Sequence, residues 1–179
     1  MVSCAGYVPF EPRGAHAAGM SHGKFSRLAF EAMRQACFAS VQPRSTPSRI
    51  FLRRNSGVRR LVNSDAIEAL LVNRGFTVVE PEKLSFAMQV QLFRQAEIIV
   101  SPTGAALANV IFSGAETQIA ILIHRQEDMS YWYWQNIACA CAKTVNYIFG
   151  RSQYKGEQGI HANFYVSPQA VEDFADRVV

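Results

Sequence analysis

Hydrophobic residues between positions 49 and 178 occur in short continuous runs that alternate with amphipathic segments. We predict strands over residues 49–54, 76–80, 97–101, 118–123 and 144–149, and helices over 65–74, 85–96, 107–112, 131–142 and 168–178. Continuous Val and Ile runs are typical of parallel strands that are covered by helices on both faces. The pattern therefore predicts an α/β fold with a doubly wound, mostly parallel sheet.

The chain before residue 49 shows a different pattern. Residues 1–23 are rich in Gly, Ala, Pro and His without any period, and residues 24–39 have the apolar spacing of one helix. Residues 42–48 have the prolines and small polar residues of a linker. We expect residues 1–48 to be an N-terminal extension, helix and linker that remain from a missing N-terminal domain, and residues 49–179 to form one domain.

The composition adds a local concentration of positive charge. With 179 residues, of which 49% are hydrophobic, the chain is long enough to bury one sizeable core, and its net charge is only +4. Five arginines nevertheless fall within twelve residues, namely Arg49, Arg53, Arg54, Arg59 and Arg60. Such a cluster indicates an anionic partner, although a solvated basic loop is the alternative. No aromatic platform or nucleic-acid motif accompanies the arginines, so we expect no nucleic-acid partner.

The cysteines at positions 4, 37, 139 and 141 have no spacing that indicates a metal site or a disulfide framework. Cys141 falls on the apolar face of a predicted helix, so we interpret it as a small core residue. No run reaches the roughly 20 apolar residues of a membrane span, and the first residues lack the pattern of a signal peptide. We expect a soluble protein of a reducing compartment, the cytoplasm, without a metal site.

Polar and small residues follow the first and third predicted strands. Arg53 and Arg54 come directly after the first strand, where a guanidinium can clamp a diphosphate through two hydrogen bonds. Residues 101–106 form a turn of small residues whose backbone N–H groups and helix dipole would attract an anion, with tight packing as the alternative. Because ligands of open α/β sheets bind beyond the carboxyl ends of the strands, we predict an anion site at this edge.

Two further polar residues have open interpretations. Glu80 ends the second strand and would bind a ribose hydroxyl or cap the next turn. Gln89 lies beside the apolar stripe of its helix and would hydrogen-bond the turn 101–106 from beneath or face solvent. The chain has no Gly-x-Gly-x-x-Gly or Walker loop, no Ser-His-Asp set and no metal-ligand spacing. Dinucleotide-dependent oxidoreductases and phosphate-hydrolysing enzymes therefore lose their sequence support, and the catalytic residues stay unassigned.

Taken in order, these motifs resemble the carboxyl-terminal region of glycosyltransferase family 61. They lie at residues 49–54, 59–63, 75–79, 84–93, 96 and 104–112, and the helix at 131–134 and the strand at 147 are similar to the end of bacterial members. The resemblance covers roughly residues 45–150 and implies a Rossmann-like domain similar to the C-terminal half of a GT-B glycosyltransferase. It also implies transfer of a sugar from a nucleotide sugar to a glycan or lipid-linked acceptor, with inversion and without a metal or another cofactor.

The resemblance further implies roles for individual residues. Arg53 and one of Arg59 or Arg60 would contact the donor diphosphate, while the turn at 103–105 would present backbone amides. Asn109 would hold this turn and Gln89 would support it. The candidate donor-binding residues are therefore Arg53, Arg54, Arg59, Arg60, Glu80, Gln89, Thr103, Gly104, Ala105 and Asn109.

Two departures from the family pattern bear on function. The family usually has His where this chain has Thr103, which keeps a hydroxyl but loses the imidazole. The second departure is the expected absence of the acceptor-binding N-terminal domain. We expect either that domain or another copy of the chain as a partner. Two functions stay open: a glycosyltransferase of polysaccharide biosynthesis, and a non-catalytic nucleotide-binding or interaction module derived from such an enzyme.

Overall fold

A computed structural model describes residues 25–125, 131–154 and 161–179, which form one six-stranded sheet with helices on both faces. The strands are β1 Arg49–Leu52, β2 Thr77–Val79, β3 Ile98–Pro102, β4 Gln118–His124, β5 Asn146–Ser152 and β6 Phe164–Tyr165. The helices are α1 Arg27–Ser40, α2 Ser64–Val72, α3 Phe86–Gln95, α4 Trp132–Ala140 and α5 Pro168–Val178, with 3₁₀ helices at Pro81–Lys83 and Ala105–Phe112. In the part of the chain described here, no helix is long and apolar enough to cross a membrane.

The strand order is β2-β1-β3-β4-β5-β6, and every neighbouring pair is parallel except β5 and β6. The prediction of an α/β fold with a mostly parallel sheet is therefore confirmed. The prediction of five strands is wrong, because β6 adds a sixth strand of two residues. A strand this short carries no hydrophobic period of its own, so its formation depends on its antiparallel pairing with β5.

Several predicted helices also need adjustment. The helix predicted from residue 24 begins at Arg27, because the Ser26 side chain accepts a hydrogen bond from the Ala29 N–H at 3.3 Å and caps it. The helix predicted over 107–112 is a 3₁₀ helix that begins at Ala105. In contrast, α5 covers the predicted range and has Pro168 at its first position.

Side chains on the two faces of the sheet enter two separate hydrophobic clusters. Ile50, Leu52 and Ile99 pack with α3, α4 and the 3₁₀ helix 105–112. Phe51 and Val100, from alternate positions of the same strands, pack with α2 and α5 on the other face. Each fully buried side chain of this size contributes about 1.5 to 3 kcal/mol relative to an exposed one, so both faces stabilise the sheet.

The connections from β1 and β3 leave in opposite directions along the sheet. The chain passes from β1 through α2 to β2 on one side, whereas it passes from β3 through the 3₁₀ helix 105–112 to β4 on the other side. A reversal of this kind separates the two connections and opens a crevice between the carboxyl ends of the central strands. The sheet order therefore places a crevice beside Leu52 and Pro102, the last residues of β1 and β3.

A buried lysine connects two segments of the chain near the amino ends of β4 and β5. Lys143 is 5% exposed, and its ammonium group donates hydrogen bonds to the backbone carbonyls of Ser113, at 2.8 Å, and Gly114. Burial lowers its pKa from 10.5 to about 8. The interaction joins the end of the 3₁₀ helix 105–112 to the turn between α4 and β5.

The lowered pKa of Lys143 gives the protein a pH-dependent stability. Between pH 8 and 10.5 the unfolded chain binds more protons at this residue than the folded chain, so the free energy of unfolding should increase with pH. We expect Lys143→Met to remove this increase, which amounts to at most about 1.4 kcal/mol per pH unit. Denaturant unfolding of both proteins between pH 8 and 9.5 measures the difference. Parallel curves would show that Lys143 does not titrate in this range.

Candidate functional site

A cleft of about 430 Å³ lies at the carboxyl ends of β1 and β3. It is lined by Leu52, Arg53, Arg54, Asn55, Ser56, Pro81, Glu82, Gln89, Ser101, Pro102, Gly104, Ala105 and Ala106. The structure thus brings Arg53, Arg54, Gln89, Gly104 and Ala105, which the sequence nominates, to one place. The cleft is where the strand order predicts a ligand site.

Arg53 forms an ion pair with a neighbouring carboxylate, that of Glu68. Its guanidinium forms a double ion pair with Glu68 of α2, with Nε at 2.9 and 3.1 Å from the two carboxylate oxygens and Nη2 on Oε2. Glu80 lies 3.6 Å from its Nη1. Glu68 is 6% exposed and also accepts a hydrogen bond from Ser64, so Arg53 neutralises a buried acid. Its predicted contact with the donor diphosphate stays a prediction, but its charge is already balanced.

Arg54 lies against Gly104 across the cleft. A methyl group at Gly104 would lie 2.3 Å from Nη1 of Arg54, so only glycine leaves room for this guanidinium. Nη2 donates to the Ser56 hydroxyl at 3.2 Å, whereas the buried Nε has no hydrogen-bond partner within the described residues. Burial lowers the pKa of Arg54. A buried donor without a partner costs about 1 to 3 kcal/mol, which an acceptor from a ligand would recover.

Arg59 lies close to Arg54 and shares these properties. Burial and the positive charge of Arg54 both lower the pKa of Arg59, and its buried Nε also lacks a hydrogen-bond partner within residues 25–125, 131–154 and 161–179. Its backbone has a φ of 57°, in the left-handed region that L-residues rarely adopt. Arg60, in contrast, is exposed. Among the described residues, neither Arg54 nor Arg59 forms an ion pair with a carboxylate, so the two arginines present unbalanced positive charge.

The turn after β3 divides its groups between the core and the cleft. The Thr103 N–H donates to the Leu122 carbonyl at 2.9 Å, and its hydroxyl accepts a hydrogen bond from the Trp134 indole at 3.0 Å. Thr103 is 2% exposed and does not line the cleft, so its role in donor binding stays a prediction. The first hydrogen bond of the 3₁₀ helix runs from the Leu107 N–H to the Gly104 carbonyl. Ala105 and Ala106 line the cleft, and their N–H groups precede this first bond and so have no acceptor within the helix.

Gln89 connects two walls of the cleft. Its Oε1 accepts a hydrogen bond from Asn109 at 2.7 Å, and its Nε2 donates to the carbonyls of Pro81, at 2.9 Å, and Leu84, at 3.2 Å. These hydrogen bonds go to Pro81, Leu84 and Asn109 and not to the turn 101–106, and the side chain is partly exposed at the cleft. The interaction joins the 3₁₀ helix 105–112 to the segment after β2, while the implied roles of Asn109 in holding the turn and of Gln89 in supporting it stay predictions.

Glu80 belongs to a network of surface charges beside the cleft. Its carboxylate accepts hydrogen bonds from Lys83, at 2.7 Å, and Asn55, at 2.6 Å, and Arg53 is nearby. The Lys83 interaction is the main cause that lowers the pKa of Glu80. The side chain makes no capping hydrogen bond to the 3₁₀ helix that follows, so that sequence interpretation is wrong. Binding of a ribose hydroxyl stays a prediction.

Sequence reasoning missed two features of the site. Glu68 lies on the inner face of α2, one turn after Ser64 and close to Leu71, and an acid on an apolar face is a signal that a basic partner is near. Asn55 and Glu82, which hydrogen-bond each other at 2.9 Å across the cleft, come from two loops and share no sequence pattern. In the described part of the chain, no group of three or more His, Cys, Asp or Glu residues could hold a metal ion.

The geometry defines an α/β protein with an arginine-lined cleft at the crossover point of its sheet. The family model for Glycosyltransferase 61 matches residues 14–120, which is more than half of the chain. The chain therefore belongs to glycosyltransferase family 61. The match includes α1 to α3, β1 to β3 and the 3₁₀ helix that lines the cleft, and it ends within β4. No curated protein matches the chain.

The contact between Gly104 and Arg54 can be tested with inorganic pyrophosphate as an anionic probe. We expect Gly104→Ala to displace the Arg54 guanidinium and weaken binding by about 10-fold, roughly the value of one charge-assisted hydrogen bond. Stability should change little, since the φ of Gly104 is 176°, which any residue adopts. Calorimetric titration measures the affinity.

A double-mutant cycle separates this effect from a general disturbance. In an Arg54→Ala background, Gly104→Ala should have no further effect on affinity, because the displaced group is gone. Gly57→Ala is a matched control in the same region, where an added methyl group meets nothing within 4 Å. Equal losses from Gly104→Ala in both backgrounds would show that Arg54 is not the group displaced.

The conformation of Arg59 leads to opposite effects on stability and binding. We expect Arg59→Gly to stabilise the fold by about 1 kcal/mol, because glycine adopts a positive φ without the penalty of an L side chain. Loss of the repulsion from Arg54 acts in the same direction. Pyrophosphate binding should weaken, since one of the two unbalanced charges is removed. Thermal unfolding and titration measure both quantities.

Ala142→Gly is the matched control for Arg59→Gly. Ala142 has a φ of 55° and lies at the opposite edge of the sheet, beside Lys143. This variant should be stabilised without any change in anion affinity. An Arg59→Gly protein that is less stable than the wild type would contradict the interpretation of Arg59 as a strained residue kept for binding.

Proposed function

We propose that residues 49–179 bind the nucleotide-sugar donor of an inverting, metal-independent glycosyltransferase and correspond to the carboxyl-terminal half of a GT-B enzyme. Membership of glycosyltransferase family 61 supports sugar transfer as the reaction class. The observation that carries the donor site is the pair of half-buried arginines, Arg54 and Arg59, whose charge no described carboxylate balances. A diphosphate has the charge and the acceptor oxygens that these groups lack.

The cleft offers complementary groups for the two phosphates. One phosphate would bind the guanidinium of Arg54, beside which lies Arg59, itself outside the cleft lining, and the second would bind the N–H groups of Ala105 and Ala106. Gly104 keeps the two sets of donors close together, because no side chain separates them. Arg53 contributes less in this arrangement, since Glu68 already occupies its guanidinium.

In the proposed reaction, the acceptor hydroxyl attacks the anomeric carbon of the donor as the bond from that carbon to the diphosphate oxygen breaks. The nucleoside diphosphate leaves with the electron pair, and a base takes the proton of the acceptor hydroxyl. Arg54 and Arg59 would stabilise the negative charge that develops on the leaving group, a role that a divalent cation takes in other enzymes. The base and the glycan or lipid-linked acceptor would come from a second domain or another copy of the chain.

A non-catalytic nucleotide-binding module is the second candidate function. It is favoured by Thr103, which replaces the expected His and whose hydroxyl is bound to Trp134. If an imidazole acts in transfer, its loss would leave binding without turnover. The two candidates agree on the donor site and differ only in the reaction.

Titration with uridine and guanosine diphosphate sugars tests the donor site. We expect one series to bind, and we expect Arg54→Ala to weaken binding about 10- to 100-fold, the range for a lost hydrogen bond to a charged group. Arg177→Ala is the matched control, because it removes one positive charge from the exposed surface of α5. The site would be misplaced if the two variants lost the same affinity.

A transfer assay with a mixed glycan acceptor library then separates the two candidate functions. Turnover that disappears in Arg54→Ala would favour the transferase. Donor binding without turnover, both alone and with an added acceptor-binding domain of the family, would favour the module. Holding both reactants in place can lower the barrier by about 7 to 11 kcal/mol. Because the acceptor is proposed to bind to a second domain or another copy, the chain alone is expected to bind the donor without transferring sugar.

A further inference from the structure

The segment 161–166 lies beside the arginine loop 53–60, although about a hundred residues separate them along the chain. The Arg59 N–H donates to the His161 carbonyl at 3.0 Å, the Phe164 N–H donates to the Arg60 carbonyl at 2.9 Å, and the Val62 N–H donates to the Phe164 carbonyl at 2.8 Å. The last two of these bonds form an isolated parallel bridge between Leu61 and Phe164, and the first lies beside it. The segment 161–166 is here called the clasp.

Two asparagine side chains add hydrogen bonds on either side of this bridge. The side-chain oxygen Oδ1 of Asn163 accepts a hydrogen bond from the Arg60 N–H at 2.9 Å. The Asn63 amide donates to the Val166 carbonyl at 2.8 Å and accepts from its N–H at 3.2 Å. Asn63 occupies the N-cap position of α2, yet it makes no capping hydrogen bond there. Its side chain pairs with the clasp instead.

The clasp is itself fixed to the sheet and the core. Phe164 and Val166 are buried in the cluster that contains Phe51 and Ile67. At Gly150 of β5 an added methyl group would lie 2.1 Å from the backbone oxygen of Tyr165, so β5 and β6 approach as closely as glycine allows. Asn163 is also bound to Gln153, through the Gln153 N–H at 2.7 Å and the Gln153 side chain at 3.2 Å.

We propose that the clasp holds Arg59 in its left-handed conformation beside Arg54, and that Asn163 is a positioning residue for diphosphate binding. This proposal rests on the proposed donor site. An L-residue at a positive φ costs about 1 to 2 kcal/mol, and such a residue persists only where its surroundings fix it. The hydrogen bonds to the N–H of Arg59 and the N–H of Arg60 are the ones that fix it here. Asn163 therefore acts on the anion through the backbone that carries Arg59.

The clasp lies outside the part of the chain that the family model matches, which ends at residue 120. The arginine loop lies inside it. The donor site of this chain would thus combine loop residues that fit the family pattern with support from a segment beyond it.

The test compares pyrophosphate affinity in two backgrounds. Asn163→Ala should weaken binding about 5- to 10-fold in the wild-type background, the effect of one lost hydrogen bond. In an Arg59→Ala background the same substitution should change affinity by less than about 2-fold, because the residue that Asn163 positions is gone. Equal losses in the two backgrounds, or no loss in either, would overturn the proposal.

Three further measurements keep the test decisive. Hydrogen exchange of the Arg60 amide should become faster in Asn163→Ala, which confirms that the contact is lost. Asn146→Ala is the matched control, since it removes a hydrogen bond from an asparagine at the other end of β5 and should leave affinity unchanged. If Asn163→Ala does not fold, Gln153→Ala loosens Asn163 more gently and should give a smaller loss with the same dependence on Arg59.

Pyrophosphate carries neither a nucleoside nor a sugar, so it separates the two proposals. Clasp-dependent pyrophosphate binding without binding of any nucleotide sugar would contradict the proposed function and support the clasp. Nucleotide-sugar binding that Asn163→Ala does not change would support the proposed function and contradict the role of the clasp. A wild-type protein that binds neither pyrophosphate nor any nucleotide sugar would overturn both.

Discussion

The parallel pairing of β1 with β3 is the constraint on which both the core and the site depend. Ile50 pairs with Ile99 and Phe51 with Val100, so the two strands contribute to both hydrophobic clusters and end side by side. Their connections then diverge, which leaves the ends of the strands uncovered. Because the core fixes this register, the guanidinium of Arg54 meets the backbone at Gly104, where no other residue type would leave it room.

The arginine loop at the carboxyl ends of the strands has unfavourable interactions that the rest of the fold must offset. Two guanidinium groups lie close together, each has a buried Nε without a partner among the described residues, and Arg59 has a positive φ. Each of these features opposes folding by an amount of the order of 1 kcal/mol or more. Arg54 lines the cleft and Arg59 lies next to it, so these features support the proposal of a site shaped for a ligand and not for stability.

Sequence reasoning identified the features that follow from local periodicity and missed those that depend on distant partners. The apolar runs gave β1 to β5 and the edge of the sheet where the arginines lie, because burial on two faces leaves a local pattern. The sequence could not distinguish Arg53 from Arg54, since only the position of Glu68 on α2 decides which arginine is already neutralised. It also missed β6, which is too short to leave a pattern, and the pairing of Asn63 with Val166, which lies 103 residues away along the chain.

The pairing of Arg60 with Asn163 spans 103 positions along the chain, and this distance has a consequence for how the protein matures. Contacts of such long range close a large loop and form late in folding, after the local β-α units. During synthesis, the strands that carry the arginine loop leave the ribosome well before the clasp does. The geometry proposed for anion binding therefore forms only after residues 161–166 have been made, so a chain that ends before the clasp would hold the cleft walls without the contacts that support Arg59.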